Sequence, residues 1–237
     1  MIVLQFDDRY HHWGELMLRS LALHEPRKRV LADVVNLRPE QVEELARAHP
    51  KVIVRTETAA ETTPEGMVNR KCFVLQRVMN EYPRERWYGL FDADFLVRRP
   101  LRDLWAMMQR VPAALIVTNG VWQGRVYQHL MTPSGIVMVR PDGRALIESW
   151  VRWQSSQEAI AGIRPGAWFW DQVTLLRARD EALLPYVAIP MRQFADCELR
   201  TDSAIWSANV DRQDKDHYFR RFSAELERQL RGAAAAP

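Results

Sequence analysis

The chain has 237 residues, with 33 Lys and Arg against 30 Asp and Glu, a formal net charge of +3 and a hydrophobic fraction of 47%. This length fits one α/β domain with a buried cleft, and the small, scattered charge argues against nucleic acid as a partner. The sequence has no apolar run near the roughly 20 residues of a membrane-spanning helix and only two cysteines, Cys72 and Cys197, so we expect a protein of the reducing cytoplasm.

Strand-like and helix-like stretches alternate from the first residue. In chain order, the first part predicts a strand at 2–6, a helix at 13–21 that Pro26 stops, a strand at 30–37, a helix opened by Pro39, a strand at 52–54, a loop at 56–66, a helix at 69–82 and a strand at 87–91. The second part predicts a helix at 101–110, strands at 114–118 and 135–139, a helix from Asp142, a break at 162–166, a helix from near Trp170 and a last helix from near Asp216.

We find neither an internal repeat nor a linker, so residues 1–237 are treated as a single domain. The alternation predicts an α/β fold with a mostly parallel central sheet flanked by helices. Sheets of this kind bind ligands at the carboxyl ends of their strands. We therefore look for a site where the predicted strands end.

Two carboxylates directly follow the predicted strand at 87–91. Asp92 and Asp94 are two residues apart in an extended, apolar segment, so their side chains point the same way and can face one cation. Like charges held close need a positive partner, and hard oxygen ligands suit Mg²⁺ or Mn²⁺. Such a metal keeps waters and bridges phosphate oxygens, so the pair predicts a diphosphate ligand.

The acidic tripeptide alone is weak evidence, because Asp-x-Asp also occurs by chance in loops. Phosphatases that use such a pair place a nucleophilic Asp after the first strand. This chain instead has Asp7 and Asp8 at the end of its first strand. A metal-dependent phosphohydrolase or nucleotidyltransferase stays open as an alternative.

The run from Phe91 to Trp105 resembles the Asp-x-Asp segment of GT-A fold glycosyltransferases, in particular glycosyltransferase family 8, the group of glycogenin and the bacterial lipopolysaccharide galactosyltransferases. In that family an apolar and basic stretch ending in Leu-Trp likewise follows the acidic pair. The resemblance implies a GT-A (Rossmann-like) nucleotide-diphospho-sugar transferase fold, with residues 1–110 as the nucleotide-sugar-binding half and 111–237 as the acceptor-side half with the C-terminal helix. It also implies that residues 92–94, including Ala93, hold the donor and its metal.

Four further segments resemble the family in the same order. The stretch 5–10 resembles the end of the family's first strand, which implies that Asp7 and Tyr10 hold the uracil. Arg70 and Lys71 stand where the family places a basic residue on the donor phosphates and sugar. A helix N-terminus with cationic side chains is also a plausible phosphate site on physical grounds.

The other two segments lie in the second half of the chain. Residues 133–138 resemble the family's Asn-x-Gly strand, with Ser134 close to the polar position. Asp171 and Gln172 resemble an Asp-Gln dipeptide that lies beside the donor sugar, near the anomeric carbon. The resemblance therefore implies that these two residues are catalytic.

The C-terminal segment departs from the family pattern. Family 8 usually has a third metal ligand, a His, six residues before a phosphate-binding Lys, which is followed by Pro-Trp. In this chain Asn209 stands six residues before Lys215, and Asp216-His217 replaces Pro-Trp. The resemblance implies Lys215 on the diphosphate and Asn209 as a weaker third metal ligand, with His217 or Asp211 from a shifted loop as alternatives.

Purely structural explanations compete with these roles. Asp7 and Asp171 are also good helix caps, and Arg70 and Lys71 can be solvated charges at a helix start. The aromatic residues 168–170 fit either a sugar-facing platform or an aromatic core.

The sequence thus predicts a metal-dependent glycosyltransferase, a hexosyltransferase with Mn²⁺ or Mg²⁺ as cofactor. Its donor is a nucleotide-sugar, with a UDP-sugar favoured, and its acceptor is a hydroxyl of a glycan, glycolipid or other molecule. The family resemblance implies retention of the anomeric configuration, although Asp171 is also a candidate base for inversion. A nucleotide-sugar-binding protein without turnover is a further alternative, suggested by the missing His.

The last predicted helix carries an apolar stripe, Phe219, Phe222, Leu226 and Leu230, beside arginines. Such a stripe packs on the core or rests on a membrane surface, here the inner face near a lipid-linked acceptor. We expect core packing, with peripheral membrane contact as the alternative.

Overall fold

The computed structural model describes residues 1–60, 62–208 and 214–234. The strands are β1 (Ile2–Asp7), β2 (Val30–Val35), β3 (Val52–Glu57), β4 (Tyr88–Phe91), β5 (Phe95–Val97), β6 (Ala113–Ile116), β7 (Val121–Trp122), β8 (Arg125–Val126), β9 (Ile136–Val139), β10 (Tyr186–Ile189) and β11 (Ile205–Ser207). The helices are α1 (His11–His24), α2 (Pro39–Ala48), α3 (Pro64–Val68), α4 (Lys71–Glu81), α5 (Arg102–Met107), α6 (Arg144–Gln154), α7 (Trp170–Ala182), α8 (Met191–Phe194) and α9 (Lys215–Ala234).

Seven of the described strands form one twisted sheet in the order β10-β6-β9-β4-β1-β2-β3. Strand β1 runs parallel to β2 and β4, β2 runs parallel to β3, and β6 runs parallel to β10. Strand β9 is antiparallel to both of its neighbours, β4 and β6. Two short pairs, β5 with β11 and β7 with β8, lie outside this sheet.

Alternate residues of β1 pack into two apolar cores, one on each face of the sheet. Leu4 lies in one core with Met17 of α1, and Val3 lies in the other with Leu75 of α4 and Trp150 of α6. Continuous burial on both faces explains why β1 and β2 are runs of apolar residues without polar alternation. The predicted fold class, α/β with a mostly parallel central sheet flanked by helices, is confirmed.

Helix α1 approaches β1 at a glycine. A Cβ atom at Gly14 would lie 2.2 Å from Cζ of Phe6, so a larger residue cannot occupy this position without moving the ring. The close approach brings the start of α1 next to the end of β1, where Asp7 and Tyr10 lie.

Helix α9 packs its apolar stripe on α1. The rings of Phe219 and Phe222 meet Trp13 edge to face, with centroids 5.1 and 5.7 Å away. Glu225 of the same helix forms an ion pair of 3.0 Å with Arg98, which directly follows β5. The apolar stripe of α9 thus packs on the core, as expected from the sequence. None of the described helices combines the length and apolar character needed to cross a bilayer.

The structure contains short elements that were not predicted, β5, β7, β8, β11 and α8, and it differs from the predictions at two further places. The strand predicted at 52–54 continues to Glu57, and the predicted loop at 56–66 already contains the start of α3. Strand β10 was not predicted, although it forms the edge of the sheet beside β6.

Candidate active site

A cavity of about 510 Å³ opens at the carboxyl ends of the strands. Its lining includes Asp7, the last residue of β1, Asp92, which directly follows β4, and Thr118, two residues after β6. The position agrees with the general rule for open α/β sheets. Most of the residues singled out in the sequence therefore meet in one place.

The acidic pair lies where the chain leaves the main sheet. The Asp92 N–H donates to the carbonyl oxygen of Gly135 at 2.9 Å, which links the pair to the segment before β9. The Asp94 carbonyl oxygen accepts from the N–H of Ala208 at 3.0 Å, which links it to the end of β11. Both acids line the cavity, as does Ala93 between them.

Each carboxylate of the pair contacts a lysine. Nζ of Lys71, the first residue of α4, lies 2.7 Å from Oδ1 of Asp92. Nζ of Lys215, the first residue of α9, contacts Oδ2 of Asp94. The wall of the cavity is therefore a cluster of alternating negative and positive charges delivered by separate elements.

Lys71 connects the acidic pair to Asp171. Its buried ammonium donates to Oγ of Ser134 at 3.0 Å, and that hydroxyl donates to Oδ2 of Asp171, which lies 3.6 Å from the same ammonium. Burial alone would lower the pKa of Lys71, but the carboxylates of Asp92 and Asp171 outweigh it and raise the pKa above its ordinary value. Lys71 therefore stays cationic although it is buried, which excludes the solvated-charge explanation for this residue.

Lys215 stands beside the residues predicted to hold the base. Its ammonium lies 5.2 Å from the ring centroid of Tyr10 and 5.8 Å from that of Trp13. Burial is the largest single influence and lowers the pKa of Lys215, but Asp94 and Tyr10 together raise it, so the net shift is upward. A cation is thus placed between an aromatic ring and an acid of the pair.

Asp7 is 1% exposed at the end of β1. Its Oδ2 accepts a hydrogen bond from Nε of Arg9 at 2.8 Å. Although Asp7 occupies the N-cap position of the short 3₁₀ turn at 8–10, its side chain makes no capping hydrogen bond. The capping explanation therefore does not apply, and Asp7, Arg9 and Tyr10 together line one end of the cavity.

Asp171 and Gln172 lie in the first turn of α7 and line the cavity. The N-cap position of that helix belongs to Phe169, so Asp171 is not a cap; its carboxylate is turned to Ser134. Oε1 of Gln172 is buried and has no hydrogen-bond partner among the described residues. Because buried acceptors are normally satisfied, this oxygen is a position for a donor group of a ligand.

The structure does not bring every predicted residue to the cavity. Arg70 is not part of the lining, and its guanidinium lies 2.5 Å from a carboxylate oxygen of Glu57 on β3. The predicted third metal ligand Asn209, and its alternative Asp211, lie outside the described residues. His217 is described but does not line the cavity, and its ring lies beside that of Tyr218.

The three aromatic residues at 168–170 divide between the two explanations. Trp170 is 1% exposed and packs in a small core with Ile160 and Val173. Trp168 and Phe169 line the cavity instead. The cluster is thus both core and cavity wall, because one residue faces inward where the helix begins.

The acidic pair fits a hard cation in chemistry and in space. A Cβ atom at Gly135 would lie 3.1 Å from Oδ2 of Asp92, so the glycine provides the room in which this carboxylate sits. The closest lysine contacts are to Oδ1 of Asp92 and Oδ2 of Asp94, so Oδ2 of Asp92 and Oδ1 of Asp94 are the oxygens that a cation would meet. Within the described ranges no three His, Cys, Asp or Glu side chains form a metal-holding group. The pair therefore fits Mg²⁺ or Mn²⁺ only if phosphate oxygens and water supply the other ligands.

Several residues of the lining were missed in the sequence. Thr118 and Asn119 follow β6, and the rule that ligands bind at the carboxyl ends of strands would have identified them. Gln5 and Met67 have no such signal in the sequence. They are 62 residues apart, and only the fold brings Nε2 of Gln5 within 3.8 Å of Sδ of Met67.

Comparisons with known proteins find similarity only to solved structures. No protein-family model and no curated protein matches the sequence. The WbbM bifunctional glycosyltransferase in its apo form superposes with a TM-score of 0.62 at 12% identity, over 96% of this chain and 51% of that protein. This chain thus spans about half the length of that neighbour.

Two further neighbours are matched over nearly their whole length. A glycosyltransferase involved in the glycosylation of the major capsid of PBCV-1 superposes with a TM-score of 0.62 at 10% identity, over 92% of this chain and 98% of that one. The galactosyltransferase LgtC, in complex with donor and acceptor sugar analogs, superposes with a TM-score of 0.56 at 11% identity, over 96% and 95%. The chain has the fold of these glycosyltransferases. The GT-A fold that the sequence resemblance implied is thereby confirmed, and identities this low establish the fold alone.

Proposed function

We propose that this chain is a metal-dependent glycosyltransferase that moves a sugar from a UDP-sugar to a hydroxyl acceptor. The observation that carries the proposal is the pairing of Asp92 with Lys71 and of Asp94 with Lys215 inside one cavity at the carboxyl ends of the strands. Separately, the fold is shared with LgtC, whose structure was obtained with donor and acceptor sugar analogs.

The donor would lie along the cavity from Tyr10 to Gln172. The ring of Tyr10 and the buried carboxylate of Asp7 suit a nucleobase, which offers a flat face and N–H donors. The ammonium groups of Lys71 and Lys215 suit the diphosphate. When donor binds, each lysine can exchange part of its contact with a carboxylate for a phosphate oxygen.

Asp92 and Asp94 would hold the Mg²⁺ or Mn²⁺ ion, with Asn209 as the proposed third ligand. When bound, such an ion would offset the negative charge that develops on the leaving diphosphate. The chain's own cations act in the same direction, because Lys71 and Lys215 flank the pair and stay protonated.

The sugar would lie against Asp171 and Gln172. The unsatisfied Oε1 of Gln172 accepts from a sugar hydroxyl, and Asp171 is held in place by Ser134 and Lys71. In the reaction the acceptor oxygen bonds to the anomeric carbon, the bond from that carbon to the diphosphate oxygen breaks, and the acceptor proton passes to a phosphate oxygen of the departing UDP. This same-face course gives retention, and Asp171, tied to a lysine, is positioned beside the sugar rather than free as a base.

The test measures UDP binding by calorimetry and UDP-sugar hydrolysis, both with Mn²⁺ present. We expect Asp92→Asn and Asp94→Asn to lose hydrolysis and most Mn²⁺-dependent UDP affinity, whereas Asp103→Asn, the same change at an exposed acid of α5, leaves both unchanged. If both site variants keep full activity, the metal assignment is wrong. Phosphate release from phosphomonoesters without any response to UDP-sugars would instead indicate a phosphohydrolase.

A binding protein without turnover is the second candidate. It is suggested by the C-terminal segment, in which Asn209 stands where family 8 has a metal-binding His. UDP-sugar binding without hydrolysis, and without transfer to any acceptor of a broad panel, would support it over the enzyme.

A further inference from the structure

One aromatic side chain of the cavity lining is partly exposed to water. Trp168 is 42% exposed and Val121 is 50% exposed, and both line the cavity. Single exposed apolar side chains are normal on a protein surface, but those that line a cavity are placed to contact a ligand bound there. The indole of Trp168 is therefore a candidate ligand contact.

The backbone around Trp168 is held from one side by Asn69. Nδ2 of Asn69 lies 3.0 Å from the carbonyl oxygen of Gly166 and 3.4 Å from that of Ala167. Oδ1 of Asn69 in turn accepts from Nε2 of Gln154 at 3.0 Å. The two carbonyls just before Trp168 are thus bound to the turn between α3 and α4 and, through Gln154, to α6, so the backbone that carries the indole is held in place.

Phe169 holds the same segment from the other side. Its φ of 69° is left-handed, a conformation that costs a non-glycine residue of order 1–3 kcal/mol and persists only where the surroundings enforce it. Its ring stacks on His129, with centroids 4.5 Å apart. A bound backbone on one side and a strained, stacked residue on the other keep Trp168 in its exposed position.

The chain order places this indole at the sugar end of the cavity. Trp168 stands three residues before Asp171, which is 2% exposed deep in the same cavity. The donor sugar, attached to the diphosphate near Lys71, lies at that depth in the proposed function. Because Trp168 is far more exposed than Asp171, its ring faces the part of a bound molecule nearer to solvent, which in the proposed function is the acceptor.

We propose, on the basis of the proposed function, that Trp168 forms a subsite for a pyranose ring of the acceptor, so that the acceptor is a glycan. A pyranose has one face of C–H groups that stacks on an aromatic ring and an edge of hydroxyls that needs polar partners. Trp168 supplies the apolar surface, and Asn119 of the same lining has Nδ2 as a donor, because its Oδ1 already accepts from the N–H of Val121. An alkyl alcohol or a serine side chain has no face of that kind to cover an indole.

The test uses a panel of methyl pyranosides as probes, with glycerol as the non-pyranose comparison. Binding to the protein with UDP and Mn²⁺ is followed by saturation-transfer NMR and titrated to a dissociation constant. We expect Trp168→Ala to weaken pyranoside binding by about tenfold or more, and Trp168→Phe to recover most of it, because an aromatic face remains. Phe73→Ala removes an equally exposed aromatic ring, 42% exposed but outside the lining, and should change nothing.

The UDP affinity of each variant separates the two proposals. Unchanged UDP affinity in Trp168→Ala, together with weakened pyranoside binding, supports the subsite and shows that the variant is folded. Wild-type protein that binds UDP but no pyranoside, or pyranoside binding that survives Trp168→Ala, overturns the subsite and leaves the proposed function standing. Loss of UDP and pyranoside affinity to the same extent assigns the indole to the donor and overturns it as well. Wild-type protein that binds no UDP refutes the proposed function itself.

Discussion

The pair of Lys71 and Asp92 can be tested through stability as well as through activity. Lys71→Met removes an ammonium that lies 2.7 Å from Oδ1 of Asp92 and 3.6 Å from Oδ2 of Asp171, and it leaves both carboxylates without that cation. Breaking a buried ion pair by removing one partner costs about 3–5 kcal/mol. Because the side chain of Asp92 is 31% exposed and can recover some hydration, we expect the lower end, about 3 kcal/mol.

The reverse change should cost less. Asp92→Asn leaves Lys71 with Asp171 and Ser134 as partners, so we expect a loss of about 1–2 kcal/mol. In the double variant neither an orphaned carboxylate at 92 nor the ammonium is present. The double variant should therefore lose about 1–2 kcal/mol less than the sum of the single variants, which is the coupling energy of a pair in direct contact.

Urea unfolding in chelator-containing buffer measures the four free energies, with the slope of each transition checked for constancy. Lys51→Met, at an exposed lysine, is the control and should stay within about 0.5 kcal/mol of wild type. Additive losses, or a Lys71→Met variant as stable as the control, would show that the ammonium is not held between the carboxylates as the structure has it.

Two further predictions concern packing and pH. Burial would raise the pKa of Glu225, but hydrogen bonds led by that from Arg228 outweigh it and lower the pKa to about 2. The ionised carboxylate therefore contributes its full stabilisation above its unfolded pKa of about 4.3 and loses it as the pH falls towards 2. We expect the urea midpoint of Glu225→Gln to fall less than that of wild type between pH 6 and 3. An identical pH slope in both proteins would contradict this. Gly14→Ala should destabilise by about 1–3 kcal/mol in the same assay, because the new Cβ meets the ring of Phe6. Gly232→Ala, in a helix and with open space around it, should instead gain up to about 1 kcal/mol, and equal effects at both glycines would refute the packing argument.

The sheet was predictable where local pattern and tertiary position agree. Strands β1, β2 and β4 are short apolar runs because they are buried on both faces. Strand β10 escaped prediction although its four residues are apolar, because it is a short, mostly exposed edge strand between Pro185 and Pro190, and only its pairing with β6 makes it part of the sheet. The direction of β9 also could not be predicted, since it depends on pairing with β4 and β6 and not on its own residues.

The site was predictable in its acids and less so in its cations. Asp7 ends β1, Asp92 directly follows β4 and Asp94 comes two residues later, so the carboxyl-end rule brings them together without any knowledge of the rest of the chain. Arg70 and Lys71 could not be separated in the sequence, because adjacent residues at a helix start differ by about 100° in direction, and only the position of α4 decides which of them enters the cavity. The contact of Lys71 with Ser134, across 63 residues, has no local signature at all.

Helix α9 both covers its apolar stripe and places Lys215 in the cavity. Packing of α9 on α1 buries Phe222 and Leu226, so the apolar stripe that a membrane surface would need is already covered. The same helix begins with Lys215, whose ammonium contacts Asp94 in the cavity. Aromatic packing on α1 and the ion pair of Glu225 with Arg98 therefore hold α9 in place, and with it Lys215 at the start of the helix. A helix that left α1 for a lipid surface would withdraw Lys215, so membrane contact through the stripe and the contact of Lys215 with Asp94 exclude each other in this fold.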